Sequence, residues 1–171
     1  HRSLFACHST CHLLLHEEGA HEAVMQLGAV VVGQRHQVVR LQQVKEALRG
    51  RESEVAVLVL ELPMREIGGQ AIPFEELLLL REWCLQRNIR MHMDGARLWE
   101  IAPFYEREWS QLCALFDSVY VSFYKGLGAI TGAMLVGSRS LVEDCKPWQR
   151  RLGGDLYCKL PYVVDCQRCM N

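Results

Sequence analysis

The stretch Val55-Ala56-Val57-Leu58-Val59-Leu60-Glu61 is an unbroken apolar run closed by a single acid. It is rich in valine, too short for a core helix, and shows no alternation of apolar and polar positions. It therefore reads as a strand covered on both faces. Such a strand belongs in a parallel sheet with helices on either side, because a one-sided sheet would leave half of its apolar side chains in water. The rest of the chain supplies what this requires. Short β-rich runs at 3–7, 29–32, 89–94, 118–123 and 130–136 are separated by helical patterns at 18–27, 41–48, 74–87, 109–116 and 140–151. The pattern at 74–87 is the clearest. Pro73 stands at its entrance, Glu75 and Glu76 occupy the first turn, Arg81 and Arg87 lie toward its end, and Leu77, Leu78, Leu80, Trp83 and Cys84 form a wide apolar face. Strands joined through helices predict an α/β fold with a mostly parallel, doubly wound sheet. Ligands of such sheets collect at the carboxyl ends of the strands, so chemistry is sought in the residues that follow each run.

Composition bounds the alternatives. The chain has 171 residues, half of them apolar and 23% charged, which suffices for one domain with a packed core and excludes a disordered segment. A formal net charge of −1 lacks the basic excess of a general nucleic-acid binder. No apolar run approaches the roughly 20 residues of a membrane span. No signal peptide opens the chain, and its first residue is His rather than Met, as expected of an interior or processed piece of a longer protein. Eight cysteines in so long and apolar a chain read as packed, reduced thiols of a cytoplasmic protein rather than as a disulfide framework.

Two strand ends carry candidate chemistry. In Met91-His92-Met93-Asp94-Gly95-Ala96-Arg97 a strand ends in an acid, and a helix opens after it. Asp94 reads either as the N-cap of that helix or as a carboxylate facing a cationic ligand group. In Ser122-Phe123-Tyr124-Lys125-Gly126-Leu127-Gly128 a lysine stands among aromatics and glycines, whereas Lys45, Lys146 and Lys159 occupy polar settings. Desolvation in such a pocket favours the neutral amine, which attacks carbonyls; the plainer reading is a turn lysine with its ammonium in water. A lysine and a carboxylate, each ending a strand of one parallel sheet, are what a pyridoxal 5′-phosphate site needs. The amine holds the aldehyde, and the acid keeps the pyridine nitrogen protonated.

These segments, with Gly132-Ala133-Met134-Leu135-Val136-Gly137, resemble the low-specificity L-threonine aldolases, within the β-eliminating-lyase group of fold-type-I pyridoxal-phosphate enzymes. Glu61-Leu62-Pro63-Met64-Arg65-Glu66-Ile67-Gly68-Gly69-Gln70 is similar to a segment of one bacterial branch. His12 with Glu17, Glu18 and Gly19, and the run from Trp148 to Gly154, extend the likeness over nearly the whole chain. Tyr124 departs from it, standing where many relatives carry a small hydroxyl residue. The resemblance implies the large domain of the aspartate-aminotransferase-like fold, incomplete at both ends. Residues 1–154 would form part of that cofactor-binding domain, and 155–171 a terminal helix leading toward a missing small domain. It implies that Lys125 holds the cofactor and that Asp94 pairs with its ring nitrogen. His12 would lie against the ring and handle protons, Ser122 would touch the phosphate, and Arg97 would bind the substrate carboxylate. The implied reaction is retro-aldol cleavage of a β-hydroxy-α-amino acid, L-threonine to glycine and acetaldehyde, by a homo-oligomeric dimer or tetramer. The alternatives are β-elimination or transamination on the same scaffold, or a truncated, non-catalytic interaction module.

Other signals carry less. The run from Cys7 to His12 lacks the ligand spacing of a zinc or haem site, so no metal is expected. Cys166 and Cys169 have redox spacing but fall on the expected terminal helix, and the glycines at 126, 128 and 132 lead into a strand rather than a helix. His21, His36 and His92 read as ordinary surface or packed residues.

Overall fold

The computed structural model describes residues 2–170. Among these residues six strands form one sheet: β1 (Leu4–His8), β2 (Gly28–Val32), β3 (Val55–Glu61), β4 (Arg90–Gly95), β5 (Ser118–Ser122) and β6 (Ala133–Gly137). Their order is β2-β1-β3-β4-β5-β6. The first five pair in parallel, and β6 runs antiparallel to β5. The sheet is thus α/β and mostly parallel, as expected. β6 is reversed because no helix separates it from β5; a parallel return needs a crossover of a dozen residues or more. The Phe123 N–H donating to the Gly132 carbonyl at 2.9 Å continues the antiparallel ladder past the end of β5.

Among the described residues eight α-helices follow in chain order: α1 (His12–Leu15), α2 (Ala20–Ala23), α3 (Leu41–Leu48), α4 (Phe74–Gln86), α5 (Leu98–Tyr105), α6 (Trp109–Cys113), α7 (Arg139–Arg151) and α8 (Leu160–Met170). The helical pattern at 18–27 contracts to the single turn α2. Glu18, Gly19 and Gln26 all have positive φ, which interrupts a right-handed helix on both sides. α1 follows β1 directly, so the Cys7–His12 run is a strand end entering a helix, here of a single turn.

Alternation along β3, β4 and β5 divides the side chains between two unequal layers. Leu58, Leu60, Met91, Met93, Val119 and Val121 join the large core with Val44 and Leu48 of α3 and Leu77, Leu80 and Trp83 of α4. On the opposite face a small cluster of Phe5, Cys7, Cys11 and Val59 is covered by Leu13 and Leu14 of α1. The larger layer is pinned by Asp117, just before β5. Its carboxylate accepts from Arg81 of α4 at 2.6 Å, from Arg90 of β4 at 3.0 Å and from the Met91 N–H at 2.8 Å. Burial opposes its charge, but these donors outweigh that and hold the carboxyl below the usual carboxylate range.

Where β4 ends, Gly95 lies against β5. A Cβ built there would stand 2.8 Å from the Tyr120 carbonyl oxygen, a backbone atom that cannot turn aside. Gly95→Ala is therefore expected to push the two strand ends apart and destabilise the full-length protein by about 1–3 kcal/mol. Denaturant unfolding checks this, and an unchanged midpoint refutes it.

Candidate active site

The parallel register sets the site. Glu61 of β3 pairs with Asp94 of β4, Asp94 with Tyr120 of β5, and Tyr120 with Leu135 of β6. Residues in register point to the same face of a sheet. Two residues earlier, Val59, His92 and Ser118 form the next row. Val59, His92, Glu61, Asp94, Tyr120 and Leu135 form the floor of a cavity of about 510 Å³ on the thinly covered face. Its walls come from the segments leaving the strands: His12 and His16 after β1, Arg65 and Glu66 after β3, Ala96 and Arg97 after β4, and Tyr124 and Lys125 after β5.

Lys125 and Asp94 thus line one cavity. The Asp94 Oδ1 accepts the Ala96 N–H at 3.0 Å, and its carboxylate makes no ion pair among the described residues. It is not a helix N-cap, since Arg97 precedes the first residue of α5. Lys125 stands in a hydrogen-bonded turn, its own carbonyl accepting the Gly128 N–H at 2.9 Å. Its Nζ lies 5.4 Å from the centre of the Tyr124 ring. The Arg97 guanidinium, at the cavity wall, pairs with no carboxylate among the described residues. The His12 ring faces the cavity, with Nε2 2.9 Å from Glu17 Oε1 and the ring tilted against that of His16 at 5.0 Å.

Ser122 lies elsewhere. It is fully buried, does not line the cavity, and its hydroxyl donates to the Ala96 carbonyl at 2.5 Å. Beside it the Trp99 indole N–H donates to the Ser122 carbonyl at 2.7 Å. The two bonds tie the turn after Asp94 to the strand end before Lys125.

The Cys7–His12 run resolves into packing. Cys7 and Cys11 are buried in the small core, and the His8 ring bonds the Thr10 hydroxyl at 2.7 Å and the Gln34 carbonyl at 2.8 Å. All eight cysteines are free thiols.

Among the residues set aside or left unassigned from the sequence, His92 and Glu61 also line the cavity. His92 bonds the Ser118 hydroxyl through Nδ1 at 2.7 Å, and burial holds its pKa below the ordinary value against the opposing pull of Asp94. Glu61 is the more telling one. Burial pushes its carboxyl up to about 7, and the neighbouring Asp94 and Glu66 add to the rise, while the His12 N–H donating to it opposes. The signal was present, since an acid closing an apolar strand beside another strand-end acid must share a face with it once the strands are in register.

With this geometry in place, a family model described as "Beta-eliminating lyase" matches residues 2–163. The chain belongs to the beta-eliminating lyase family. A solved structure from Listeria monocytogenes, described as an L-allo-threonine aldolase, superposes with a TM-score of 0.92 at 43% identity over 98% of this chain. An aldolase of Penicillium aethiopicum is 39% identical over 58% of the chain, and an alanine racemase of Cochliobolus carbonum 38% identical over 52%. The match covers 46% of the Listeria chain, 25% of the aldolase and 23% of the racemase, so this chain spans less than half the length of the relatives it matches.

The Glu61 shift has a definite sign. A carboxyl whose folded pKa lies above its unfolded value of about 4.3 favours the fold while neutral. That contribution is complete below about pH 4.3 and is lost as pH rises through about 7. Glu61→Gln removes the loss, so the variant is expected to unfold at higher denaturant than the parent at pH 8. The two converge toward pH 4, and the gap at pH 8 stays within about 3.6 kcal/mol before solvent screening reduces it. Parallel midpoints across that range would show that burial does not tax the ionised acid.

Proposed function

We propose that this chain carries the catalytic face of a pyridoxal 5′-phosphate-dependent carbon–carbon lyase that cleaves β-hydroxy-α-amino acids, L-threonine to glycine and acetaldehyde being the simplest case. The observation that carries the proposal is the convergence of Lys125 and Asp94 on one cavity from adjacent strand ends. The donor set suits that cofactor: an amine for an aldehyde, an unpaired carboxylate for a ring nitrogen, and the small Ala96 between Asp94 and Arg97. When bound, the cofactor supplies a sink for the electron pair released at Cα.

The chain's own residues then take defined tasks. Lys125 would hold the cofactor through Nζ. Asp94 would keep a proton on the ring nitrogen. Arg97 grips the substrate carboxylate with its planar fork, which sets the bond at Cα that can break. His12, at the cavity wall, would lie against the cofactor ring and accept the proton of the β-hydroxyl. As that proton leaves, the Cβ–O bond becomes the aldehyde carbonyl and the Cα–Cβ bond opens. A proton delivered to Cα completes glycine. Ser122 acts at one remove, by holding the Asp94 and Lys125 segments together.

In this reading residues 1–154 belong to the cofactor-binding large domain, and 155–171, with α8, lead toward a small domain. The protein would work as a homo-oligomer in cytoplasmic glycine-forming metabolism; apolar side chains exposed on β6 and α8, such as Val136 and Val163, suit burial against further protein. The likeness to an alanine racemase favours a second reading, in which the Cα–H bond breaks instead of Cα–Cβ. Scrambling of alanine chirality without aldehyde release would select it.

The test uses the full-length protein. Wild type is expected to develop a visible absorption band with pyridoxal 5′-phosphate and to release acetaldehyde from L-threonine. Lys125→Ala should lose the band and at least about a thousandfold in turnover; a band that persists removes Lys125 from its role. Arg97→Lys keeps the charge but not the fork, so KM for threonine should rise about tenfold with kcat little changed. An unaltered KM would place the carboxylate elsewhere.

A further inference from the structure

α1 cannot stand by itself. It is one turn long, none of its residues is fully buried, and its N-cap Cys11 offers no side-chain hydrogen bond. Helix nucleation costs more than a single turn returns. Yet this turn begins with His12, whose ring faces the cavity. Two carboxylates from the end of β3 and the segment after it hold the turn at its two ends. Glu61 Oε1 accepts the His12 backbone N–H at 2.5 Å, and Glu66 Oε1 meets Nε2 of His16, the residue that closes the turn, at 3.0 Å. Between these points Leu13 and Leu14 pack on the small core. Glu61 is thereby fixed at both its ends, on the sheet beside Asp94 through β3 and on α1 through its carboxylate.

We propose that Glu61 and Glu66 form a two-point clamp that positions the His12 ring over the cavity. This deepens the function proposed above, on which the use of the ring rests. Both are positioning residues. Glu61 acts through a backbone amide, so an oxygen acceptor at that place matters more than its charge. Glu66 acts through a more exposed ion pair and carries the smaller share. The clamp ties the histidine to the same strand row that holds Asp94, so the ring above the cavity and the acid on its floor keep a common frame.

The test reads hydrogen exchange of the His12 amide by NMR in the full-length protein. A first-turn amide has no acceptor within its own helix. In wild type the clamp predicts at least about tenfold protection there; exchange at the unprotected rate overturns it. Glu61→Ala should remove the protection and raise the Kd for pyridoxal 5′-phosphate about tenfold, while Glu61→Gln, which keeps an acceptor oxygen, should retain both. Glu66→Gln should raise that Kd less, by about two- to fivefold. Loss of protection with an unchanged Kd, or a Glu61→Gln variant that binds poorly with its amide still protected, refutes the positioning role. Should Glu61→Ala not fold, wild-type protection and the Glu61→Gln pair decide. If wild type takes up no pyridoxal 5′-phosphate, the proposed function falls, and the exchange measurement still judges the clamp.

Discussion

The arrangement of the cavity depends on a fully buried hydroxyl. Ser122 donates to the Ala96 carbonyl while its own carbonyl accepts the Trp99 indole, so the end of β5 is bonded twice to the segment leaving β4. Asp94 lies two residues before Ala96 and Lys125 three residues after Ser122. Without these bonds the two segments would be independent loops, each free to move its charged group by ångströms. With them, the segments that carry Lys125 and Asp94 border one cavity in a common frame. Gly126 completes the junction. A Cβ there would lie 2.9 Å from Glu100 Cγ and 3.2 Å from Trp99 Cβ, so the backbone beside Lys125 can approach α5 only because a side chain is missing.

Much of this was legible from residue order, and the reason differs from element to element. The β3 run and the helix at 74–87 were found nearly to the residue, since a closed apolar run and a long amphipathic pattern with charges at both ends leave few alternatives. Lys125 and Asp94 were visible because strand ends of a parallel sheet converge whatever the details of packing. The single-turn length of α1 and the contraction of α2 were not legible. A single turn has no period, and the left-handed residues Glu18 and Gln26 carry side chains that give no warning of positive φ. Glu61 escaped because its importance lies in register. Only when β3 and β4 are aligned does the acid after Leu60 stand beside the acid after Met93. Ser122 was noticed for its hydroxyl, but residue type does not tell whether that hydroxyl faces a ligand or a carbonyl.

The unequal layers of the sheet explain why the site lies where it does. One face is covered by α3, α4 and α5, whose apolar side chains join the large core. The other carries a small cluster near β1 and β3, and beyond it the rows turn polar: His92 and Ser118, then Glu61, Asp94 and Tyr120. A sheet face with two acids side by side contradicts the alternation that drives folding, and it remains only because the opposite core is large enough to carry the strands. Burial raises the pKa of Glu61, and burial together with the neighbouring Tyr124 hydroxyl raises that of Tyr120 to about 12. The row therefore disfavours added negative charge. A ligand that brings a positive ring nitrogen to this face meets the unpaired Asp94 carboxylate, and by linkage its binding and the stability of the fold rise together. The feature that weakens the sheet at this edge is thus the same one that selects what can lie on it.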